Sequence, residues 1–205
     1  MAPENSLAAL VMGALAARSD GLEFDVRLAA DGTPVVIHDA SLARVQGMDV
    51  RVEDTDAATL ARAGVPMLAD VLAAVPPTAF LDVELKVVPT ERLTAMLESA
   101  RGTEPAAAVA SSFLPEVLTA LARSLPLWPR WLNSDRLDGA VVERAVALDC
   151  AGIAAEWRSI THVAARQVRD AGLGLAAFAV RREATVRRLE RLGLRFVCVE
   201  ARPLD

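Results

Sequence analysis

The chain is poor in several features, and each scarcity excludes a class of protein. Only two cysteines are present, Cys150 and Cys198, and they lack the CxxC spacing of a metal or redox site. We therefore expect both to be buried small apolar residues rather than a disulfide. The longest apolar run, Leu7 to Ala17, has 11 residues, well short of the ~20 residues that cross a bilayer. The sequence thus predicts no membrane span.

The charge pattern excludes further classes. The residues before the apolar run include Glu4 but no lysine or arginine, which is the wrong flank for a secretory signal peptide, so we expect a cytoplasmic protein. The net charge is −5 and the arginines are scattered along the chain. Because no basic patch is available for DNA or RNA, we predict no nucleic-acid partner.

What the sequence does contain is an alternation of short apolar strands with helical segments, without a linker between them. The 205 residues, 53% of them hydrophobic, suffice for one core, so we predict a single domain over residues 1–205. The alternation predicts an α/β fold with a parallel sheet. Seven principal strands are expected, at residues 21–26, 79–85, 106–111, 127–131, 152–155, 173–180 and 195–199, with a small inserted strand at about 34–38.

The number of principal strands points to a particular fold. Each strand except the last is followed by a helix, and eight such units would close a TIM (β/α)8 barrel. The shortfall lies at the front, because the chain opens on a segment typical of the loop and helix after a first strand. We therefore predict a TIM barrel that lacks its first strand.

Two of the predicted strands carry charged residues on one face. Side chains alternate along a strand, so Glu23 and Asp25 of GLEFDV share a face, as do Glu84 and Lys86 of LDVELK. Lys86 is the only lysine among 22 basic residues. This suggests a position that needs a compact ammonium rather than a planar guanidinium.

If the two charged faces meet, three carboxylates surround one ammonium. Two like charges 4 Å apart repel by about 4 kcal/mol at an effective dielectric constant of 20, so a counter-charge is needed. A divalent cation, Mg2+ or Ca2+, suits a ligand set made only of oxygens. We predict that Glu23, Asp25 and Glu84 hold this cation and that Lys86 binds an anionic substrate. The alternative is that these are solvent-facing residues of half-exposed strands.

Three segments carry a resemblance to a known family: MAPENSLAAL, GLEFDVRLAADGTPVVIHDASLAR and FLDVELK. In order and spacing they resemble the signature segments of the glycerophosphodiester phosphodiesterases over about residues 3–90. The resemblance implies a TIM-barrel enzyme that uses a divalent cation to hydrolyse glycerophosphodiesters to glycerol phosphate and an alcohol. It also implies roles for individual residues, namely metal ligation by Glu23, Asp25 and Glu84, phosphate contact by Lys86 and acid–base catalysis by His38.

The two histidines receive different predictions. An imidazole titrates near neutrality, so His38 could protonate a leaving alkoxide and recover the proton afterwards. The alternative for His38 is a structural residue that is hydrogen-bonded to Asp39 or to backbone, although carboxylates nearby would favour catalysis. His162 lies inside a predicted helix that Ser159 could cap, so we expect a surface or packing role for it.

The sequence departs from the family pattern in two places that bear on activity. Family members carry His-Arg-Gly a few residues before PEN, whereas here only Met1 and Ala2 stand before that segment. Either the start is assigned too late, or the motif is lost and the chain is a catalytically impaired barrel that binds a cation, a phosphoryl ligand or a partner protein. Phe178 of AFAVR stands where the family often has a substrate-lining tryptophan, and Phe178 is therefore the predicted substrate contact.

The shortened barrel also has a physical consequence. A sheet that lacks one strand exposes two edges, with backbone groups that have no partner. We therefore expect the chain to be fragile or to self-associate through the open edge.

Overall fold

The computed structural model describes residues 7, 8, 10 and 19–199. The chain divides into two compact units, one formed by residues 1–110 and 120–128 and the other by residues 111–119 and 129–205. The expectation of a single domain over residues 1–205 stays a prediction. Within the described ranges, no helix is both long enough and apolar enough to cross a membrane.

The first unit is built on a mixed set of strands in the order β2-β1-β3-β4. In β1 and β3, apolar side chains such as Phe24 and Val83 are fully buried, and they alternate with the acidic residues. β1 runs parallel to β3 and antiparallel to β2. The strands are β1 (Gly21–Leu28), β2 (Pro34–Val36), β3 (Phe80–Leu85) and β4 (Ala108–Ser112), the last of which continues into the second unit.

The helices of the first unit follow local sequence signals. Asp56 and Thr90 cap two of them, because each side-chain oxygen accepts a hydrogen bond from the backbone N–H three residues later. Between β2 and β3 the chain forms a small apolar core of its own, to which Ile37, Leu42 and Leu60 contribute. Within residues 19–128 the helices are α1 (Ala43–Gln46), α2 (Ala57–Arg62), α3 (Leu68–Ala74) and α4 (Glu91–Arg101), followed by α5 (Pro115–Ser124), which both units share.

The second unit continues from β4 through four more strands in the order β5-β6-β7-β8. The pairs β5·β6, β6·β7 and β7·β8 are all parallel, as the alternation of strands and helices predicts. The strands are β5 (Arg130–Ser134), β6 (Gly152–Glu156), β7 (Gly174–Val180) and β8 (Phe196–Val199). The helices are α6 (Gly139–Ala147), α7 (His162–Asp170) and α8 (Glu183–Glu190).

The core of the second unit is organised around one tryptophan. A Cβ added at Gly152 or Gly174 would lie 2.6 or 2.8 Å from the Trp131 ring, so the ring occupies the space that side chains at both positions would need. The ring of Phe196 packs against the same indole at a centroid distance of 4.7 Å. The glycines therefore make room for the largest side chain of β5.

The position of β5 corrects one prediction. The strand was expected at residues 127–131 and lies at Arg130–Ser134. Pro129 has no N–H to donate to a neighbouring strand, so the strand begins after it. The preceding Trp128 lies outside the strand, and its side-chain Nε1 donates to the carbonyl of Gly102 at 3.0 Å. The other predicted strands agree with the observed ones to within two residues at either end.

Three smaller predictions also meet the structure here. Cys150 is buried as expected, and burial raises the pKa of its thiol to about 11, whereas Cys198 is only half-buried. His162 is exposed at the start of α7. The cap of that helix is Thr161 rather than Ser159, because Ser159 belongs to a short 3-10 turn and donates its hydroxyl to the Glu156 carbonyl.

Candidate active site

Carboxylates from two neighbouring strands converge on one face of the first unit. Asp25 of β1 lies directly opposite Glu84 of β3, and side chains at paired positions of adjacent strands point to the same face. One oxygen from each of Glu23, Asp25 and Glu84 lies within 4.8 Å of the other two. The two charged faces therefore meet and bring the three predicted ligands together.

The acidic side chains are largely withdrawn from water. Asp25 is 5% exposed and Glu84 is 7% exposed, while Glu23 is half-buried. These values contradict the alternative in which the acids are solvent-facing residues of half-exposed strands. Buried carboxylates need compensating charge, so positively charged groups must lie close to the cluster.

Burial and mutual repulsion alter the proton affinity of the cluster. Burial raises the pKa of Glu23 well above its usual value, and the negative charges of Asp25, Asp82 and Glu84 raise it further. Burial also raises the pKa of Glu84, against the opposing effect of the Lys86 ammonium. A positive charge added to the cluster would therefore stabilise the ionised forms of both carboxyls.

Lys86 supplies part of that positive charge. Its Nζ lies 3.0 Å from Asp25 Oδ1 and also pairs with Glu84 Oε1, and its side chain is 14% exposed. Burial lowers the pKa of this ammonium, but the neighbouring carboxylates outweigh burial and the pKa is raised overall. Lys86 therefore stays protonated at the centre of the acidic cluster.

Sequence reasoning missed a fourth acid, Asp82. It lies opposite Glu23 in the β1·β3 register and is 6% exposed. Its negative charge contributes to the raised pKa of Glu23. The signal was present in LDVELK, because Asp82 stands two residues before Glu84 and must share its face. Arg27 of β1 also shares the face of Glu23 and Asp25, and its guanidinium interacts with Asp25 and Glu84. Four carboxylates against one ammonium and one guanidinium therefore leave this face with excess negative charge.

His38 lies just beyond β2, beside the charged face. The N–H of Ile37 donates to the carbonyl of Asp25 at 2.9 Å, and Arg27 Nε donates to the carbonyl of His38 at 2.9 Å. The His38 side chain is 54% exposed, with Nδ1 2.8 Å from Asp39 Oδ1. A hydrogen bond to Asp39 is what the alternative of a purely structural His38 predicts. The same contact also suits a catalytic imidazole, so it does not decide between the two roles.

Arg44 holds the other side of the Asp39 carboxylate. Its Nε donates to Asp39 Oδ2 at 2.5 Å and its Nη2 donates to Asp39 Oδ1 at 3.1 Å. The hydrogen bonds from Arg44, with that from His38, lower the pKa of Asp39 to about 2. Sequence reasoning missed Arg44, since the spacing HDASLAR alone does not reveal that a short helix turns it back onto Asp39.

Phe178, the predicted substrate contact, belongs to the second unit. It is half-buried in β7, and its ring meets that of Phe113 edge to face, with centroids 5.8 Å apart. Such pairs add about 0.5–1.5 kcal/mol beyond the area that they bury. The contact with Phe113 therefore favours this orientation of the Phe178 ring.

Comparison with known proteins relates these features to characterised structures. The structure of an Oleispira antarctica phosphodiesterase in complex with the product sn-glycerol-3-phosphate is similar to this chain, with a TM-score of 0.83 and 26% identity over 97% of this chain and 87% of that one. The glycerophosphodiester phosphodiesterase of Thermotoga maritima gives a TM-score of 0.77 at 24% identity, covering 96% and 88%. These matches confirm the predicted TIM-barrel fold.

Sequence comparison points the same way. The uncharacterized protein YqiK of Bacillus subtilis (strain 168) is 39% identical over 98 residues, which span 41% of this chain and 40% of that protein. The sequence profile of the glycerophosphoryl diester phosphodiesterase family matches residues 1–201. A profile match over nearly the whole length, together with the shared fold, shows that the chain belongs to the glycerophosphoryl diester phosphodiesterase family of phosphoric diester hydrolases.

Proposed function

We propose that this chain hydrolyses glycerophosphodiesters to glycerol phosphate and an alcohol in a reaction that depends on a divalent cation. The observation that carries the proposal is the convergence of Glu23, Asp25 and Glu84 with Lys86 on one buried face. Membership of the family supports the reaction class. The glycerol phosphate product in the Oleispira antarctica structure supports the substrate class.

The acidic cluster fits a divalent cation. Oxygens that ligate one Mg2+ or Ca2+ at about 2.0–2.6 Å lie no more than about 5 Å apart, and the carboxylate oxygens of Glu23, Asp25 and Glu84 lie within 4.8 Å of one another. Two positive charges would offset the excess negative charge of the face. When bound, the cation supplies positive charge for the phosphoryl oxygens of the substrate.

The protein groups then account for the remaining chemistry. Hydrolysis forms a bond from a water oxygen to phosphorus and breaks the bond from phosphorus to the alcohol oxygen, while water loses a proton and the leaving alkoxide gains one. His38 carries a proton in this exchange, and the exposure of its ring supports this role. The Lys86 ammonium stabilises negative charge that develops on phosphate oxygens.

The remaining predictions concern the surroundings of the reaction. Phe178 stays the predicted substrate contact, and in the second unit its ring packs edge to face against Phe113. The cytoplasmic location and self-association through an open edge stay predictions, as does the exclusion of nucleic acid.

Release of glycerol phosphate from glycerophosphocholine tests the function directly. We expect release by the wild type with Mg2+ or Ca2+ and none with EDTA. Glu84→Gln should lower kcat/KM strongly, since it removes a proposed ligand of the cation that the reaction depends on. His38→Ala should lower kcat/KM at least 100-fold, since a positioned acid–base group contributes about 10²- to 10⁴-fold. Glu53→Gln and His162→Ala are matched controls on exposed residues and should keep wild-type activity.

Two outcomes would contradict parts of the proposal. Wild-type activity in Glu84→Gln and His38→Ala would refute the residue assignments. If the wild type binds Ca2+, loses that binding with Glu84→Gln, and yet releases no glycerol phosphate, the chain is the catalytically impaired barrel of the alternative hypothesis.

A further inference from the structure

We propose that Asp39 and Arg44 are positioning residues that hold the His38 ring with its proton on Nδ1 and its lone pair on Nε2. The inference rests on the proposed function, in which His38 carries the proton. It goes beyond that function because it assigns the reacting nitrogen and the two residues that select it.

The contacts form a chain of three side chains. Arg44 donates from two nitrogens to the two oxygens of Asp39, at 2.5 and 3.1 Å, and such a two-point contact fixes the plane of the carboxylate. Asp39 Oδ1 then lies 2.8 Å from His38 Nδ1. The orientation of the imidazole is thus set from α1, the short helix that carries Arg44.

The chemistry of these groups determines the tautomer. An ionised carboxylate only accepts hydrogen bonds, and Arg44 keeps Asp39 ionised at all but very acidic pH because it holds the pKa of that carboxyl at about 2. A contact of 2.8 Å between Asp39 and Nδ1 therefore requires a hydrogen on Nδ1. In the neutral ring Nε2 then has no hydrogen, so Nε2 is the nitrogen able to accept a proton.

The backbone on both sides of His38 is also fixed. Ile37 and Leu42 are buried in the small apolar core that follows β2, so the segment between them is anchored at both ends. Arg27 holds the His38 carbonyl, and the Ile37 N–H is bonded to the carbonyl of Asp25. The imidazole is thus tied to the strand that carries two of the proposed cation ligands.

Replacement of Asp39 by asparagine should reverse the tautomer. Arg44 donates toward both oxygen positions, and an amide can offer an oxygen at only one of them. The shorter contact, from Nε, retains the oxygen, and the amide nitrogen then faces His38 Nδ1. Because that nitrogen is a donor, Nδ1 must accept and the hydrogen of the neutral ring moves to Nε2.

Nuclear magnetic resonance tests this assignment without any need for activity. The chain has two histidines, so a long-range 1H–15N correlation spectrum of the whole protein contains two imidazoles, with exposed His162 as internal reference. At a pH where the rings are neutral, we expect the His38 signals of an Nδ1–H tautomer in the wild type and of an Nε2–H tautomer in Asp39→Asn. An Nε2–H tautomer in the wild type, or no change in the variant, would overturn the proposal.

Kinetics with glycerophosphocholine separates positioning from substrate binding. We expect Asp39→Asn to lower kcat by about 10²- to 10⁴-fold while KM changes less than about threefold. Asp39→Glu should recover part of the loss because it restores an ionised acceptor. Arg44→Met should give an intermediate loss, and Arg51→Met, an exposed arginine that pairs with Glu53, should give none. A kcat within threefold of wild type in Asp39→Asn, or a change in KM alone, would refute the role.

The two readouts separate failure of this inference from failure of the proposed function. If the wild type shows the Nδ1–H tautomer and Asp39→Asn reverses it, but no substrate is hydrolysed, the function fails and the positioning stands. If the wild type hydrolyses the substrate and Asp39→Asn leaves both the tautomer and kcat unchanged, the function stands and the positioning fails.

Discussion

Two regions of the chain contribute to stability in opposite ways. The first is the acidic face of β1 and β3, and the second is the set of strands β5, β6 and β7 that packs around Trp131. On the first, burial raises the pKa of Glu23 and Glu84, which means that their charged forms are disfavoured by the fold. On the second, one indole fills the space above Gly152 and Gly174. The packing around Trp131 therefore stabilises the fold, whereas the acidic face lowers stability because it holds several carboxylates close together.

The largest loss of stability is expected when the Trp131 side chain is shortened. Trp131→Ala removes a buried indole and leaves a cavity between β5, β6 and β7, so the free energy of unfolding should fall by about 4 kcal/mol. Urea denaturation followed by circular dichroism measures this change.

Gly152→Ala provides the matched test of the same contact. In the wild type the new Cβ would lie 2.6 Å from the Trp131 ring, so the substitution should be destabilising, whereas in the Trp131→Ala background the space is empty. The two changes should therefore be non-additive. Additive effects would show that the ring and the glycine do not compete for space.

A smaller loss is expected when the charged region loses its ammonium. Lys86→Met leaves Asp25 and Glu84 without their ion pair, and breaking a buried pair from one side costs about 3 kcal/mol. Urea denaturation in EDTA measures the loss, and Ca2+ should restore part of it by supplying positive charge. Arg62→Met, at an exposed position, is the control, and an equal loss there would contradict the argument.

Removal of one acid should change stability in the opposite direction. Glu23→Gln takes a negative charge out of a crowded, largely buried cluster, so in EDTA the free energy of unfolding should rise by about 1 kcal/mol. The variant should also lose most of the stabilisation that Ca2+ gives the wild type. A loss of stability in EDTA would show that the cluster is not strained by its own charge.

The smallest expected effect is a dependence on pH. Since the folded-state pKa values of Glu23 and Glu84 are raised from 4.5, their contribution to stability is full below about pH 4.5 and is lost as pH rises through the raised values. In EDTA the free energy of unfolding of the wild type should therefore fall with pH relative to a Glu23→Gln, Glu84→Gln double variant. Parallel curves for the two proteins would contradict this reading.

Much of the fold follows from local sequence patterns. The seven principal strands were predicted because each is a short apolar run bounded by turn signals, and the second strand followed from Asp31 and Gly32 ahead of an extended segment. The error at β5 arose where Trp128 and Trp131 both suggest a strand, although only Trp131 belongs to one. Hydrophobicity alone does not distinguish a strand residue from one that packs just before the strand.

The candidate site was predictable to a lesser degree. Glu23, Asp25 and Glu84 were predicted because acids rarely occur within apolar strands of a parallel sheet. Lys86 was predicted because it is the only lysine among 22 basic residues. Asp82 was missed although the same alternation places it on that face. Arg44 was missed because its contact with Asp39 depends on the direction of α1, and no periodic pattern in the sequence specifies that direction.

The sequence by itself determined which side chains share a face, because the alternation of side chains along a strand is a local property of the backbone. The tertiary structure alone decided that Asp25 stands opposite Glu84 and that Asp82 stands opposite Glu23. Register between strands far apart in the chain is set by how the helices and the apolar faces pack, and a shift of one residue would have pointed these acids away from one another.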